Sequence, residues 1–463
     1  MAQKSPWGGR FEQAMHPVVV SFNQSVSFDK ILAPFDIDGS KAHAKMLAKV
    51  GLISGSEAQQ ILDGLDAIRA DIDAGQFVWK AELEDVHMNI ETALKERIGA
   101  PAGKLHTARS RNDQIALDMR LWMRDAIDKL LDALRNACGV LSEKALEYAD
   151  AVMPGYTHLQ RAMPVTAGHH LLAYVESFAR DRERLGDCRR RVNRMPLGSA
   201  ALAGTALPID RQFVADQLGF DSLCMNSMDG VAARDHFIEF ASCLSTLAIH
   251  LSRFSEDAIF WHSIEARFAV VGEAFRTGSS IMPQKINPDV FELIRGKSAS
   301  IAAALVQLLL LVKSQPMTYN KDLQEDKPLL FRATADALDC LTVFAPMIST
   351  LTFDRAKLLA ACEGGFMDAI SVADVLVKKG VPFRDAHEVS GRLVKLAESR
   401  GCELKDLTEK DYSAAHPSLD SSLRVSLGAA GMASAYQSEG SANPYKVRAE
   451  AERWLAFFSE GQL

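Results

Sequence analysis

Residues 113–150 read DQIALDMRLWMRDAIDKLLDALRNACGVLSEKALEYAD, a stretch with one glycine (Gly139) and no proline. Ile115, Met119, Trp122, Ala126, Leu130 and Leu134 recur at spacings of three and four, which is the stripe of a single helical face. At a rise of about 1.5 Å per residue, the stretch makes a rod roughly 57 Å long. A rod of that length exceeds an ordinary globular helix and predicts a bundle. Asn112 or Asp113 is the expected N-cap.

Similar rods follow. Residues 165–194 are helical in pattern and end in the basic run Arg189-Arg190-Arg191. Residues 229–263 carry Phe237, Phe240, Leu244, Ile249 and Phe254 on helical spacing. Pro288 suits the first turn of a helix reaching about Lys313, and residues 329–348 give another. Residues 301–312, IAAALVQLLLLV, are apolar nearly all round, so that helix must be covered on several sides. It is expected deep in a bundle, at a subunit interface. The run is shorter than the ~20 residues that span a bilayer. Gly, Pro, Ser, Thr and Asn collect in the connectors 104–112, 154–164, 196–208, 277–288 and 315–327. After Gly364-Gly365 the helices become shorter, split by Gly380-Val381-Pro382 and by Gly401. The chain therefore divides into an N-terminal helical domain (1–112), a central long-helix domain (113–363) and a small helical C-terminal domain (364–463).

Composition agrees with an all-α chain. Of 463 residues only 29 are glycine and 16 proline, and aromatics make up 7%, where an all-β protein wants more of each. The net charge of −7 disfavours binding to a phosphate backbone. The seven cysteines are scattered without a CxxC pair, so most are expected buried and reduced rather than in a disulfide framework or zinc site. His169 and His170 are adjacent and diverge by about 100° on a helix, so they make no ligand pair. The N-terminal Pro-Trp-Gly-Gly interrupts what would be a signal peptide's apolar core, which points to a soluble, cytoplasmic protein.

The chemistry-bearing segment is Gly278-Ser-Ser-Ile-Met-Pro-Gln-Lys-Ile-Asn-Pro288. A Gly-Ser-Ser opening beside Lys285 and a helix start suits an anion site, a nucleophile or a base; it also suits a capped loop between helices. The whole string resembles the signature of the fumarase/aspartase superfamily. The resemblance is strongest to its argininosuccinate lyase/δ-crystallin branch. It extends through Trp7-Gly-Gly-Arg-Phe11, Phe22-Asn-Gln-Ser25, Glu84-Asp-Val-His-Met-Asn-Ile-Glu91 and His106-Thr-Ala-Arg-Ser-Arg-Asn-Asp-Gln114. It continues through Gly155-Tyr-Thr-His-Leu-Gln160, Gly198-Ser-Ala-Ala-Leu-Ala-Gly-Thr205 and Thr318-Tyr-Asn-Lys-Asp-Leu-Gln-Glu-Asp-Lys327. Gln284 suits this branch, whereas adenylosuccinate lyases tend to carry His there; Ile286 stands where the family usually has Lys.

The resemblance implies a three-domain, all-α fold whose central bundle assembles into a homotetramer with sites shared between subunits. It implies reversible cleavage of argininosuccinate to L-arginine and fumarate, with no metal, no cofactor, no nucleic acid and no membrane. A base removes a weakly acidic proton beside a carboxylate, an aci-carboxylate carbanion forms, and an acid protonates the departing guanidinium nitrogen. Ser279 matches the family's catalytic serine, which acts as a base only where cations and amides favour its alkoxide. His158 matches the catalytic histidine, whose ordinary pKa near 6.5 permits a base, acid or orienting role. Ser25, Asn112, Thr157 and Asn287 resemble donors to the succinyl carboxylates. Tyr319, Gln324 and Lys327 resemble contacts to the other end of the substrate and its carboxylate. Arg111, Ser110, Lys285 and His87 complete the implied binding set, and Asp85 is a candidate partner for the guanidinium. The alternatives are another fumarate-releasing lyase and a catalytically idle crystallin of the same fold.

Overall fold

The computed structural model describes residues 15–459, so the Trp7–Phe11 motif lies outside the described residues. The architecture is all-α. Helices α1 (Ala33–Lys49), α2 (Gly55–Asp73) and α3 (Val86–Ile98) precede five long ones. These are α4 (Arg111–Glu147), α5 (Ala167–Val192), α6 (Asp235–His262), α7 (Asp289–Val312) and α8 (Asp326–Ser349). The shorter α9 (Ala369–Lys378) and α10 (Phe383–Arg400) follow, as the glycine pattern predicts. Strands occur only as four two-stranded pairs among the described residues.

Local chemistry explains the element ends. Helix α4 is entered through Ser110 rather than capped at Asn112 or Asp113. Ser110 Oγ accepts the Asn112 N–H (3.2 Å), and Asp113 Oδ1 accepts the Ser110 N–H (2.9 Å), a reciprocal arrangement that satisfies two otherwise orphaned donors. The rod expected over 229–263 is broken: a short helix, Ser227–Ala232, stops before Arg234, and α6 starts at Asp235. The connector expected at 154–164 is a β-hairpin, β1 (Val152–Thr157) against β2 (Gln160–Thr166), with an irregular register between Pro154 and Tyr156. Its last residues feed straight into α5. There a Cβ on Gly168 would lie 2.4 Å from the Ala145 carbonyl oxygen and 2.9 Å from Ala149 Cα, so only glycine lets the two backbones meet.

The chain forms two compact units. One comprises residues up to Leu130 with Arg184–Ser245 and Ser300–Asp336; the other comprises Leu131–Glu183, Thr246–Ala299 and residues from Ala337 on. The chain passes from one to the other within each of α4 to α8. In the first unit, Trp122 meets Phe331 and Phe240 edge-on, with centroids 4.7 and 6.3 Å away. In the second, Phe254 and Phe178 close edge-on about Phe344 at 4.9 and 5.7 Å. Each such pair adds about 0.5–1.5 kcal/mol beyond the area it buries. A separate cluster in the second unit packs Val372 and Leu376 of α9 against Val389 and Leu393 of α10 and the buried Tyr412.

No disulfide joins the described cysteines, and all but Cys402 are buried. The basic run ending α5 is ion-paired: Arg189 to Asp128, Arg190 to Asp187 and Arg191 to Glu239. Helix α7 buries one stripe (Phe291, Ile294, Ile301, Ala304, Leu308), while Leu293, Val306 and Leu310 remain 65%, 55% and 59% exposed in the single chain.

Candidate active site

A cavity of about 210 Å³ in the first unit gathers residues from four separated sequence stretches. Its lining includes Ser25, His87, Arg111, Asn112, Tyr319, Gln324 and Lys327, seven of the residues singled out from sequence. Asp85, the candidate guanidinium partner, lines it too, and the cavity adds Asp29, Glu84, Ile115 and Lys321.

The walls are tied by hydrogen bonds rather than by apolar packing. Glu84 adopts φ 69°, ψ −63°, and the Asp85 N–H reaches back to the Leu83 carbonyl at 2.8 Å. This is the strained, left-handed form of γ-turn, rare for a residue with a Cβ. The turn directs the Glu84 carbonyl at the N–H groups of Ser25 and Val26 (2.8 and 3.1 Å), which starts the helix at Val26. The Glu84 carboxylate receives Lys321 Nζ at 2.5 Å and Arg111 Nη1 at 3.4 Å. Asp85 caps α3 through the Met88 N–H (2.8 Å) and holds Arg111 Nη1 with its other oxygen (2.5 Å). Asp113 fixes the neighbouring loop: its Oδ2 accepts the N–H groups of Gly198 and Ala200 at 2.9 and 2.7 Å. Asn112 Nδ2 then donates to the Ala201 carbonyl (3.1 Å).

Lys327 is buried, as are its partners. Its Nζ donates to Asp326 Oδ1 (2.9 Å) and the Leu323 carbonyl (3.2 Å), and Asp326 Oδ2 accepts Arg234 Nε (2.6 Å). Arg234 Nη1 also serves the Ala233 carbonyl at 2.9 Å, which accounts for the break before α6. Burial, together with the charge of Asp326, pushes the Tyr319 hydroxyl up to about 12, so it stays a neutral donor. Gln324 Nε2 is anchored on the Asn23 carbonyl (3.2 Å).

Asp29 is the chief residue missed from sequence. It receives Ser25 Oγ (2.6 Å) and the Val86 N–H (3.1 Å), yet burial raises its pKa to about 6 against the pull of Ser25 and His87. Nothing in its local sequence marks it, but its spacing of four from Ser25 on one helical turn is a usable signal.

The remaining sequence candidates, apart from Ser110, belong to the second unit. His158 and Leu159 form the two-residue tip of the β1–β2 hairpin, both at positive φ (54° and 56°). Such tips favour Asn-Gly; two residues with Cβ atoms there carry strain, and His158 is exposed. Thr157 precedes it and is exposed too. Ser279 follows the short strand Thr277–Gly278, which pairs with Ile286–Asn287, so Asn287 closes the same loop. The donors that reach Ser279 Oγ are the amides of Met282 (3.1 Å) and Ile281 (3.4 Å), rather than the exposed Lys285. Two amides converging on one hydroxyl favour its anionic form. Ser110 serves α4 as described above.

Residues 9–303 match the Lyase family, and residues 366–432 match the argininosuccinate lyase C-terminal family. Argininosuccinate lyase of Bordetella avium is 51% identical over 448 residues, covering 96% of this chain and 95% of that protein. The Pseudomonas fluorescens enzyme of the same name is 48% identical over 453 residues, 98% of each. Among solved structures, EDDS lyase in complex with formate matches with TM-score 0.84 and 27% identity over 97% of this chain and 91% of that one. Class II fumarase from Schistosoma mansoni, 18% identical with TM-score 0.74 over 88% of this chain and 92% of that one, shares the fold. Fold and pocket together define a lyase of the fumarase/aspartase superfamily. Within it, the chain belongs to the argininosuccinate lyase family.

Proposed function

We propose that this protein is a carbon–nitrogen lyase that reversibly eliminates fumarate from argininosuccinate to give L-arginine, the last step of arginine biosynthesis. The observation that carries the reading is the cavity lined by Ser25, Asn112, Tyr319, Gln324 and Lys327 beside Arg111 and Asp85. Cationic and acidic groups stand together there, as a ligand with several carboxylates and one guanidinium requires. Lys327, Ser25 and Asn112 donate to the carboxylates and take up charge as the aci-carboxylate forms. Ser279, with two amides on its oxygen, removes the proton beside the carboxylate. His158 is its catalytic partner, and Thr157, Lys285 and Asn287 serve the succinyl end.

The working unit is a homotetramer in which neighbouring copies bring His158 and Ser279 to each pocket. Support comes from α7, whose exposed Leu293, Val306, Leu309 and Leu310 make an apolar face too large to leave in water. That helix is long and apolar enough to cross a membrane by length and composition. Asp289, Glu292, Arg295 and Lys297 load its first half with charge, however, leaving about a dozen apolar residues against the ~20 a bilayer needs. That face is buried against other copies of the chain, and a cytoplasmic location is in keeping with the bacterial argininosuccinate lyases it resembles.

The test is fumarate release, followed by absorbance, from argininosuccinate and separately from adenylosuccinate. Turnover of the first alone is expected. Turnover of adenylosuccinate without argininosuccinate sinks the reading.

A further inference from the structure

Beneath the cavity lies a cluster that the chemistry above does not use. Helix α1 contributes Asp36, the first turn of α3 contributes His87, and α4 contributes Asp118; all three are at least 95% buried. His87 Nδ1 lies 2.9 Å from Asp36 Oδ1 and 3.5 Å from Asp118 Oδ2. Asp36 Oδ1 also accepts Gln114 Nε2 at 2.5 Å. Three groups are left over. Neither Asp118 oxygen has a hydrogen-bond donor, and His87 Nε2 has no partner, although His87 lines the cavity.

We propose that Asp36 and Asp118 are positioning residues for His87: sharing one proton between them, they hold its ring by Nδ1 as an imidazolium, so that Nε2–H meets a substrate carboxylate. The inference rests on the substrate reading above and extends it to the floor of the pocket.

The proton balance follows from the geometry. Ligating atoms of the two buried carboxylates lie within 4.8 Å of each other, which disfavours ionising both. Asp36, which has two N–H partners, keeps the charge: burial alone would lift its pKa, but His87, Arg109 and Gln114 hold it below the usual range. Asp118 has none; burial and the Asp36 charge push it well above that range, and as the acid it hands its O–H to Asp36. Burial opposes the charge on His87, but the charge and hydrogen bond of Asp36, with Asp85 behind them, outweigh it and lift the ring to about 9. The titratable groups facing this cluster are Asp29 from the helix at Val26, Lys327 beside it, Asp85 at the cap of α3, and Arg109 and His106 before α4. With Asp118 neutral, His87 and Arg109 leave the floor positive, which suits a carboxylate. The same three side chains lie close enough to surround a cation. His87, however, turns Nδ1 to Asp36 as a donor, and the protein supplies its own countercharges.

The experiment uses the purified full-length enzyme, with KM and kcat for argininosuccinate measured from about pH 6 to about pH 9. In Asp36→Asn the ring loses its anion, so KM should rise about tenfold above about pH 7 and recover near pH 6, with kcat moving less. Asp118→Asn, which still offers an N–H to Asp36, should rescue KM relative to Asp118→Ala. His87→Gln, tested whether or not Asp36→Asn folds, should raise KM about tenfold at neutral pH. A KM that stays flat with pH in Asp36→Asn overturns the proposal. So does a wild-type KM in His87→Gln, an Asn no better than Ala at 118, or activity lost to a chelator and restored by Mn²⁺ or Zn²⁺. Failure of the wild type to act on argininosuccinate defeats the substrate reading alone; the same pH dependence is then read from fumarate binding.

Discussion

Asp326 is the most exposed assumption in the site, because one carboxylate neutralises two buried cations. Arg234 Nε lies 2.6 Å from one of its oxygens and Lys327 Nζ 2.9 Å from the other, with all three side chains at most 4% exposed. Replacing Asp326 by Asn keeps the shape and removes the charge. Both cations are then orphaned in a dry environment, and breaking a buried pair in this way costs about 3–5 kcal/mol. For a protein of this size such a loss lowers Tm by roughly 3–5 °C. Lys327 also loses the group that aims it into the cavity, so KM should rise at least about tenfold. Arg234→Met is the discriminating control. It leaves Asp326 paired with Lys327, and loses the Arg234 bonds to Asp326 and to the carbonyls of Val231 and Ala233, with its cation–π contact over Phe237. Scanning calorimetry at one fixed rate, with kinetics on the same samples, should therefore rank Asp326→Asn as the more damaging in both Tm and KM. An Asp326→Asn enzyme within about 1 kcal/mol of wild type, or a more damaging Arg234→Met, would refute the claim that this carboxylate carries both charges.

Three further outcomes follow. Ser279→Ala should keep its circular dichroism and oligomeric mass but lose at least about 10³-fold in kcat; near-normal turnover removes Ser279 from the mechanism. Asp29, with a pKa raised from 3.8 to about 6, binds more protons folded than unfolded, so its stabilising share is complete below the lower value and lost as pH rises through the upper. Asp29→Asn should therefore raise Tm by a few degrees at about pH 7.5 and give no such gain near pH 4, an advantage whose absence in calorimetry at the two pH values contradicts the buried-carboxylate account. Leu310→Glu puts a charge on the 59%-exposed position of α7, and light scattering should report a species smaller than a tetramer; an unchanged mass means this face is not the assembly surface.

What could be read from the sequence divides along physical lines. The stripe from Ile115 to Leu134 needs only local spacing, and α4 ends within a few residues of its expected limits. The hairpin at 152–166 was hidden for the opposite reason. Its tip is His158-Leu159 instead of a residue pair tolerant of positive φ, and Pro154 and Pro164 face each other across it. A rule built on unstrained turns cannot find a strained one. The break before α6 is equally invisible locally, since residues 229–263 keep their apolar period. It is decided by Arg234 meeting an aspartate 92 positions away.

The same distinction governs the site. Ser25, Asn112, Tyr319 and Lys327 were named by motif, yet what orients them was not. Glu84 works through a backbone conformation its side chain does not advertise, and Asp118 reads on a helical wheel as one polar residue among apolar ones. Buried charge takes its meaning from partners, and the partners of Asp118 come from α1 and α3, some 80 and 30 residues away. Motifs thus locate the groups that touch a ligand, because chemistry restricts which residue types serve there. The groups that aim them are chosen by where they stand and what charge they face, which no local sequence pattern records. Those are the positions, Asp36, Asp118, Arg234 and Asp326, where substitution tests the structure most directly.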